Sequence, residues 1–276
     1  MGSDTARIVT LNIWQEQGHW PKRLNLIAAR LKPMRPDVLC LQEVRQVPAK
    51  VPNQAEILAE KLGMHCRFET VESWGGGEEG LAVLSRGEPV ETRYSDLPTS
   101  EGRSKRKVLG VALDFGATRA WFFTTHLAYR PADGLLREAQ VCAVDQFIGN
   151  CRNEDVAVLA GDFNAVPESD EIRFLMGQTT LAGHRTYYQD AFGSQHPGEA
   201  GITWASANPY TKPLAWLGLD RRLDYIFVTA MRRSGAGNIE NCRVILEKPN
   251  DEGLLCSDHY GLCADVALGP SPPTTG

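Results

Sequence analysis

The fold class this sequence predicts is a layered α/β or α+β sandwich built on mixed sheets. Three observations carry it. Strand-type segments outnumber helical ones, several neighbouring strands are close enough in sequence to pair antiparallel, and no fixed-period repeat interrupts the alternation. With 276 residues, 42% hydrophobic and 23% charged, the chain can bury a sizeable core, which excludes low-complexity disorder and a small disulfide scaffold.

The elements follow in order. Arg7–Trp14 reads as a strand, apolar at Ile8, Leu11 and Ile13. Pro21 suits the first turn of a helix whose apolar face is Leu24, Ile27, Ala28 and Leu31. Pro36-Asp37 breaks that helix, and Val38–Val44 is a continuous run of the kind buried on both faces. Gln54–Leu62 forms a short helix with Gly63 as its stop. Strands are expected near 79–86, 107–115 and 119–127, then a helix with Leu136, Ala139, Ala143 and Phe147 on one stripe. Val156–Asp162, Leu223–Val228 and His259–Ala267 complete the strands. Gly75-x-Gly77-x-x-Gly80 formally matches a dinucleotide fingerprint, but a strand, Leu81–Ser85, follows where that fingerprint needs a helix. A single domain over residues 1–268 is expected, with a disordered Pro-rich tail at 269–276.

Lys plus Arg total 29 and Asp plus Glu 34, a net charge of −5, which argues against attachment to nucleic acid by bulk charge alone. No stretch approaches the roughly 20 apolar residues of a membrane-spanning helix. The seven cysteines contain no Cys-x-x-Cys pair and sit mostly in apolar contexts. Buried reduced thiols and a cytoplasmic location are therefore expected, and the chain is expected to act as a monomer. The opening Met1-Gly2-Ser3-Asp4 has neither the basic nor the apolar region of an export signal.

The chemistry collects at strand ends. Asn12, Glu43, His126, Asp162 with Asn164, Asp224, and Asp258-His259 each place a carboxylate, amide or imidazole at or in an otherwise apolar strand. A lone buried carboxylate is costly unless paired or bound to a metal, so so many ends in one chain point to one shared cleft. The donors are rich in oxygen and lack a thiolate cluster, which suits a hard ion such as Mg²⁺ or Mn²⁺. His-Glu-x-x-His, Gly-x-Ser-x-Gly and the phosphate-loop motif are absent.

Asn12, Gln42-Glu43, Gly80-Leu-Ala-Val-Leu-Ser-Arg86, Thr125-His126-Leu127, Gly161-Asp-Phe-Asn164, Leu223-Asp224-Tyr225 and Ser257-Asp258-His259 resemble, in order, the motifs of the endonuclease/exonuclease/phosphatase superfamily. The likeness runs over about residues 7–267. It implies a four-layered α/β sandwich, two mixed sheets face to face with helices outside, whose active site lies in the loops at one edge. It also implies roles. Glu43 would be the principal metal carboxylate, with Asn12 and Asp258 beside it. Asp162 would orient or deprotonate the attacking water, and Asn164 would donate to a phosphate oxygen. His259 and Asp224 would form a His–Asp pair. His126 would be a second phosphate-contacting histidine, with Glu79 as its orienting acid.

Other positions remain open between two readings. Arg137 and Gln140, on the helix after His126, match an Arg-x-x-Gln that family members often carry, so Arg137 is a substrate-binding candidate; an exposed polar face is the plainer alternative. Arg103-Ser-Lys-Arg-Lys107 is a solvated edge or a phosphate contact. Thr203-Trp204-Ala-Ser-Ala-Asn-Pro209 resembles a loop of tyrosyl-DNA phosphodiesterases, while the sequences around Asp162 and Asp224 depart from those enzymes. Trp204, with Tyr210 and Trp216 nearby, either walls a substrate groove or packs its own loop. His19, His65, His184 and His196 fall outside any motif.

The expected activity is that of a Mg²⁺- or Mn²⁺-dependent phosphoesterase, first a nuclease or DNA-repair-type phosphodiesterase acting on DNA or RNA. A sphingomyelinase-type lipid phosphodiesterase and a small-molecule or inositol-phosphate phosphatase are the alternatives. A non-catalytic binding module on the same fold is the reading from a different class.

Overall fold

The computed structural model describes residues 5–218 and 220–269, so the expected tail beyond Gly269 lies outside the described residues. In chain order the first strands and helices are β1 (Thr5–Asn12), α1 (Trp20–Leu31), β2 (Val38–Gln46), α2 (Gln54–Leu62), β3 (His65–Trp74) and β4 (Gly77–Ser85). Next come β5 (Glu91–Asp96), β6 (Lys107–Phe115), β7 (Thr118–His126), α3 (Gly134–Arg152), β8 (Val156–Asp162) and α4 (Asp170–Leu175). The last are β9 (Tyr188–Asp190), α5 (Ala191–Gln195), β10 (Asp224–Thr229), β11 (Ile239–Ile245) and β12 (Gly261–Ala267).

Among the described residues, twelve strands make two mixed sheets, ordered β11-β12-β1-β2-β4-β3 and β5-β6-β7-β8-β10-β9. Each sheet contains one parallel pair, β1 with β2 and β7 with β8, and each of these crossovers carries a helix, α1 or α3. Because side chains alternate along a strand, each central strand feeds two cores. In β1, Ala6 and Ile8 face the opposite sheet while Val9 and Leu11 face α1 and α2. In β7, Ala120 and Phe122 face inward while Trp121 and Phe123 pack under α3 and α4. The layers are therefore helix, sheet, sheet, helix, and burial on both faces is why these strands read as unbroken apolar runs.

Glycines matter at two junctions. The Gly75-Gly76 turn joins β3 to β4, so the formal dinucleotide match is a hairpin. A Cβ at Gly161 would collide with the Thr125 carbonyl oxygen, so only glycine lets β8 approach β7 just before Asp162.

The stripe expected on α3 is displaced by one position. Its buried face is Arg137, Gln140, Val141, Val144, Ile148 and Cys151, whereas Ala139 is exposed and Leu136, Ala143 and Phe147 are half-buried. The polar pair turns inward because it satisfies the backbone next to β7. Gln140 accepts from the Ala128 amide at 3.0 Å, and Arg137 donates to the carbonyls of Ala128 and Arg130. All seven cysteines are free. No helix among the described residues is long and apolar enough to cross a membrane.

Candidate active site

Strand register sets the site. Pairing of β7, β8 and β10 puts His126, Asp162 and Asp224 side by side at one edge of their sheet. Asn12 ends β1 on the facing sheet. Beside it the β2–β4 ladder slips between Leu41 and Val44, and Glu43 sits in this bulge at φ +55°, a left-handed conformation that glutamate rarely adopts. The bulge re-aims Glu43 into a cleft of about 640 Å³, whose lining also includes Glu79, Asp162, Asn164, Asp258 and His259. Asn164 is left-handed too, at φ +51°, and its amide donates to Asp162 Oδ1 at 2.9 Å. Trp14 and Gln15, at φ +58° and +45°, line the same cleft, and four left-handed non-glycine positions there require a framework that holds them.

One amide links the two sheets. Asn12 Nδ2 donates to Glu43 Oε1 and to Asp162 Oδ2, each at 3.1 Å, and the Trp14 amide donates to Asn12 Oδ1 at 3.0 Å. That last bond fixes which way the amide faces: Asn12 turns its NH₂, not its oxygen, toward Glu43. Asp162 Oδ2 also lies 3.5 Å from His126 Nε2 and 3.7 Å from His259 Nε2. His259 Nδ1 is 2.8 Å from Asp224 Oδ2.

Burial pushes the Asp162 carboxyl up to about 6, with His259 and Asn12 resisting the rise. Burial, then the like charges of Glu79 and Asp258, push Glu43 up to about 8. Burial also works against charge on His259, but Asp224 and Asp162 together outweigh it and hold that imidazole well above its ordinary range. His126 moves the other way, kept well below its ordinary range by burial, Arg106 and His259.

A second ring of residues holds these groups. Thr203 Oγ1 accepts from the amides of Leu223 and Asp224 at 3.0 and 3.2 Å, fixing the start of β10. Asn208 Nδ2 donates to the carbonyls of Ser257 and Asp258 at 2.9 and 3.0 Å. The buried Arg23 guanidinium donates to the carbonyls of Ile13, Trp14, Gln15, Gln17 and Cys256, shaping the loop after Asn12. Burial lowers its pKa to about 10, so it stays cationic at neutral pH. Trp14 stacks on Tyr210 with centroids 4.8 Å apart at the cleft wall.

Of the expected residues, Asn12, Glu43, His126, Asp162, Asn164, Asp224, Asp258 and His259 converge. Glu79 lines the cleft but does not orient His126: it accepts from Gln15 Nε2 at 2.9 Å and Trp74 Nε1 at 3.2 Å. Arg106 faces His126 instead, its Nη1 3.4 Å from Nδ1. Arg137 is brought neither to the cleft nor to solvent, since it is buried in an ion pair with Glu171. The basic run divides: Arg103 pairs with Asp133, Lys107 with Glu69, and Arg106, with Ser104 of the same run, lines the cleft. Trp204 lines the cleft yet is only 3% exposed, its ring edge-on to His259 at 4.8 Å. His19, His65, His184 and His196 lie outside the cleft. Sequence reasoning missed Arg23, Thr203 and Asn208 as supports. Thr203 and Asn208 stand within a motif already singled out; nothing around Arg23 distinguishes it from a solvated helix residue.

Asp162, Asp224 and His259 offer ligand atoms within 4.8 Å of one another and could hold a metal ion, though their atoms already bond each other. Glu43 and Asp258 form a second oxygen set. Burial and mutual repulsion penalise its bare charges, and a hard cation would relieve that penalty.

Comparison with known proteins shows the family and the fold. The chain is 27% identical over 299 residues to a Caenorhabditis elegans protein provisionally named a neutral sphingomyelinase, covering 95% of this chain and 66% of that protein. It is 27% identical over 177 residues to mouse protein angel homolog 2, covering 57% of this chain but 31% of that protein. The chain thus spans less than two thirds of either relative. The structure of Danio rerio TDP2 complexed with single strand DNA product superposes with a TM-score of 0.75 at 20% identity, covering 95% of this chain and 98% of that one. The human Nocturnin catalytic domain superposes at 0.72 and 20% identity, covering 95% and 92%. Residues 9–259 match the family described as Endonuclease/Exonuclease/phosphatase, and the chain belongs to it.

Proposed function

We propose that this chain is a divalent-metal-dependent phosphodiesterase, with Mg²⁺ or Mn²⁺ held by Glu43 and Asp258 and a nucleic-acid phosphodiester as its substrate. The observation that carries the reading is the convergence on Asp162 Oδ2 of Asn12 Nδ2 at 3.1 Å, His126 Nε2 at 3.5 Å and His259 Nε2 at 3.7 Å. A carboxylate among three nitrogens can accept a hydrogen from water while its neighbours face the oxygens of a phosphoryl group. Asp224 orients His259, Asn12 joins the acid of one sheet to that of the other, and Asn164 sits beside Asp162 as a donor. A divalent ion would polarise the phosphoryl oxygen and offset charge developing in the transition state. The cleft asks for such a cation: Glu43, Glu72, Glu79, Asp162 and Asp258 line it against the single guanidinium of Arg106. The likeness to TDP2 bound to a DNA product supports a nucleic-acid strand as substrate.

A lipid phosphodiester is the second reading. It is favoured by the apolar mouth of the cleft, where Pro213, Leu214 and Leu217 line the wall and Trp216 is 66% exposed, and by the nematode relative. The test is turnover of bis-p-nitrophenyl phosphate, single-stranded DNA, RNA, sphingomyelin vesicles and inositol phosphates, with Mg²⁺, Mn²⁺ or EDTA. Metal-dependent cleavage of an oligonucleotide supports the first reading. Cleavage confined to sphingomyelin replaces it with the second, and no turnover of any substrate removes both.

A further inference from the structure

The two cleft histidines are held by neighbours of opposite kind. His259 turns Nδ1 to a carboxylate oxygen of Asp224 at 2.8 Å, whereas His126 turns Nδ1 to a guanidinium nitrogen of Arg106 at 3.4 Å. A carboxylate can only accept and a guanidinium can only donate. Nδ1 of His259 therefore carries hydrogen, and Nδ1 of His126 offers a lone pair. In neutral His126 the one ring hydrogen is then on Nε2, which faces Asp162 Oδ2 across 3.5 Å at the cleft floor. Glu79 would impose the opposite tautomer, but it is occupied by Gln15 and Trp74. Arg106 is 6% exposed and, among the described residues, forms no ion pair; its Nε is buried without a partner. A buried guanidinium left unpaired beside an imidazole, in a cleft full of acids, is a costly arrangement for a residue that only packs.

We propose that Arg106 is a positioning residue that fixes His126 as a neutral Nε2–H donor. So held, His126 donates a hydrogen bond to a non-bridging phosphate oxygen and cannot take a proton at Nε2, so it serves as a binding group rather than a general base. The phosphate step rests on the phosphodiesterase reading; the tautomer does not.

The tautomer is measured directly. In the metal-free full chain labelled with ¹⁵N-histidine, long-range proton–nitrogen spectra at pH 7 report which ring nitrogen is protonated, and His126→Gln assigns the signals. Nε2 of His126 is expected to be protonated and Nδ1 bare. Arg106→Met should redistribute the proton between the two nitrogens, and Arg106→Lys, which still donates, should restore the wild-type pattern. A wild-type His126 protonated at Nδ1 overturns the proposal, as does an unchanged pattern in Arg106→Met. If Arg106→Met does not fold, the wild-type and Arg106→Lys spectra decide alone. Kinetically, Arg106→Met and His126→Gln should each lower kcat/KM for bis-p-nitrophenyl phosphate by roughly 10–100-fold, with the double variant little worse than either. Multiplicative losses would mean Arg106 does not act through His126. A wild type with no turnover would defeat the phosphodiesterase reading, while the spectra still decide the tautomer.

Discussion

The two sides of the cleft are built on opposite principles. On the β1–β2–β4 side, Glu43 and Glu79 crowd toward Asp258, and burial plus like charge raises Glu43 to about 8. On the β7–β8–β10 side the acids face imidazoles: His126 and His259 lie beside Asp162, and His259 bonds Asp224. Adjacent residues on one turn divide between the sides, Asp258 toward the acids and His259 toward Asp224. One side gathers like charge that a cation would relieve, and the other sets its acids against imidazole nitrogens, leaving Asp224 Oδ1 buried without a partner. Under the proposed function the same strand-end geometry supplies a binding half and a proton-handling half, separated by what each residue's nearest neighbour is.

The sharpest way to break this division is to remove one acid from each half. Glu43→Gln should lower turnover by about 10³-fold or more and sharply weaken Mg²⁺ or Mn²⁺ binding, while leaving the metal-free protein at least as stable, since it relieves repulsion from Glu79 and Asp258. Asp162→Asn should lower turnover by a similar factor but leave ion binding near wild type. Calorimetric titration of both variants checks the pair. Unchanged ion affinity in Glu43→Gln would end the assignment of that half.

The proton-handling half should behave as a unit. Asp224→Asn and His259→Ala are each expected to cost roughly 10²–10³-fold in kcat, and the double variant little more than the worse single one. Kinetics of the three proteins against wild type decide. Losses that multiply would mean that the 2.8 Å contact between Asp224 and His259 carries no shared role.

How far this was legible in the sequence follows from the same neighbour logic. Central strands such as Val38–Gln46 and Val156–Asp162 are covered on both faces and announce themselves as apolar runs. The strands that sequence reading missed are β3, β5, β9 and β11, which are the four edges of the two sheets. An edge strand needs a weaker apolar pattern: β3 reads His-Cys-Arg-Phe-Glu-Thr-Val-Glu-Ser-Trp, with no residue fully buried. The site residues were legible because they stand where strands end. Which partner each one takes was not, since Arg106 takes the place of Glu79 at His126 through the β6–β7 register, Val108 against Thr125, and the apolar pattern of two strands does not fix their register residue by residue. The inward turn of Arg137 was hidden likewise, because its partner Glu171 lies on a different helix.

The charge contrast has a thermodynamic signature of middle size. Groups whose folded pKa is raised bind more protons folded than unfolded, so stability falls as pH climbs toward the folded value. Glu43, at about 8, and His259, held above its ordinary range, both act this way between pH 6.5 and 8.5. His126, lowered from 6.5, works the opposite way, but only below that window. In EDTA, Tm is therefore expected to fall by several degrees from pH 6.5 to 8.5. Saturating Mg²⁺ should flatten the slope, because an ion bound to ionised Glu43 favours the deprotonated folded state. Melting curves at both pH values with and without Mg²⁺ measure this, and Glu43→Gln should lose part of the EDTA slope. A slope indifferent to Mg²⁺ would place the repulsion elsewhere.

The smallest effect concerns Trp204, which belongs to neither half but touches His259. Its 3% exposure means that the ring mainly packs, so Trp204→Ala would open a cavity costing about 3–5 kcal/mol and mask any role toward substrate. Trp204→Phe is the informative change. It keeps a ring edge-on to His259 and removes Nε1, which is buried without a partner and so loses no hydrogen bond. Stability should drop by about 1 kcal/mol. Turnover of bis-p-nitrophenyl phosphate, too small to span the cleft, should change less than about twofold. If the indole also walls the groove for a base, which elsewhere is worth about 1–3 kcal/mol per stack, then kcat/KM for an oligonucleotide should fall by roughly two- to fivefold, since a smaller ring keeps part of the stack. Equal changes on both substrates would leave Trp204 as a packing residue and move the search for a base platform to the stacked Trp14 and Tyr210 on the same wall.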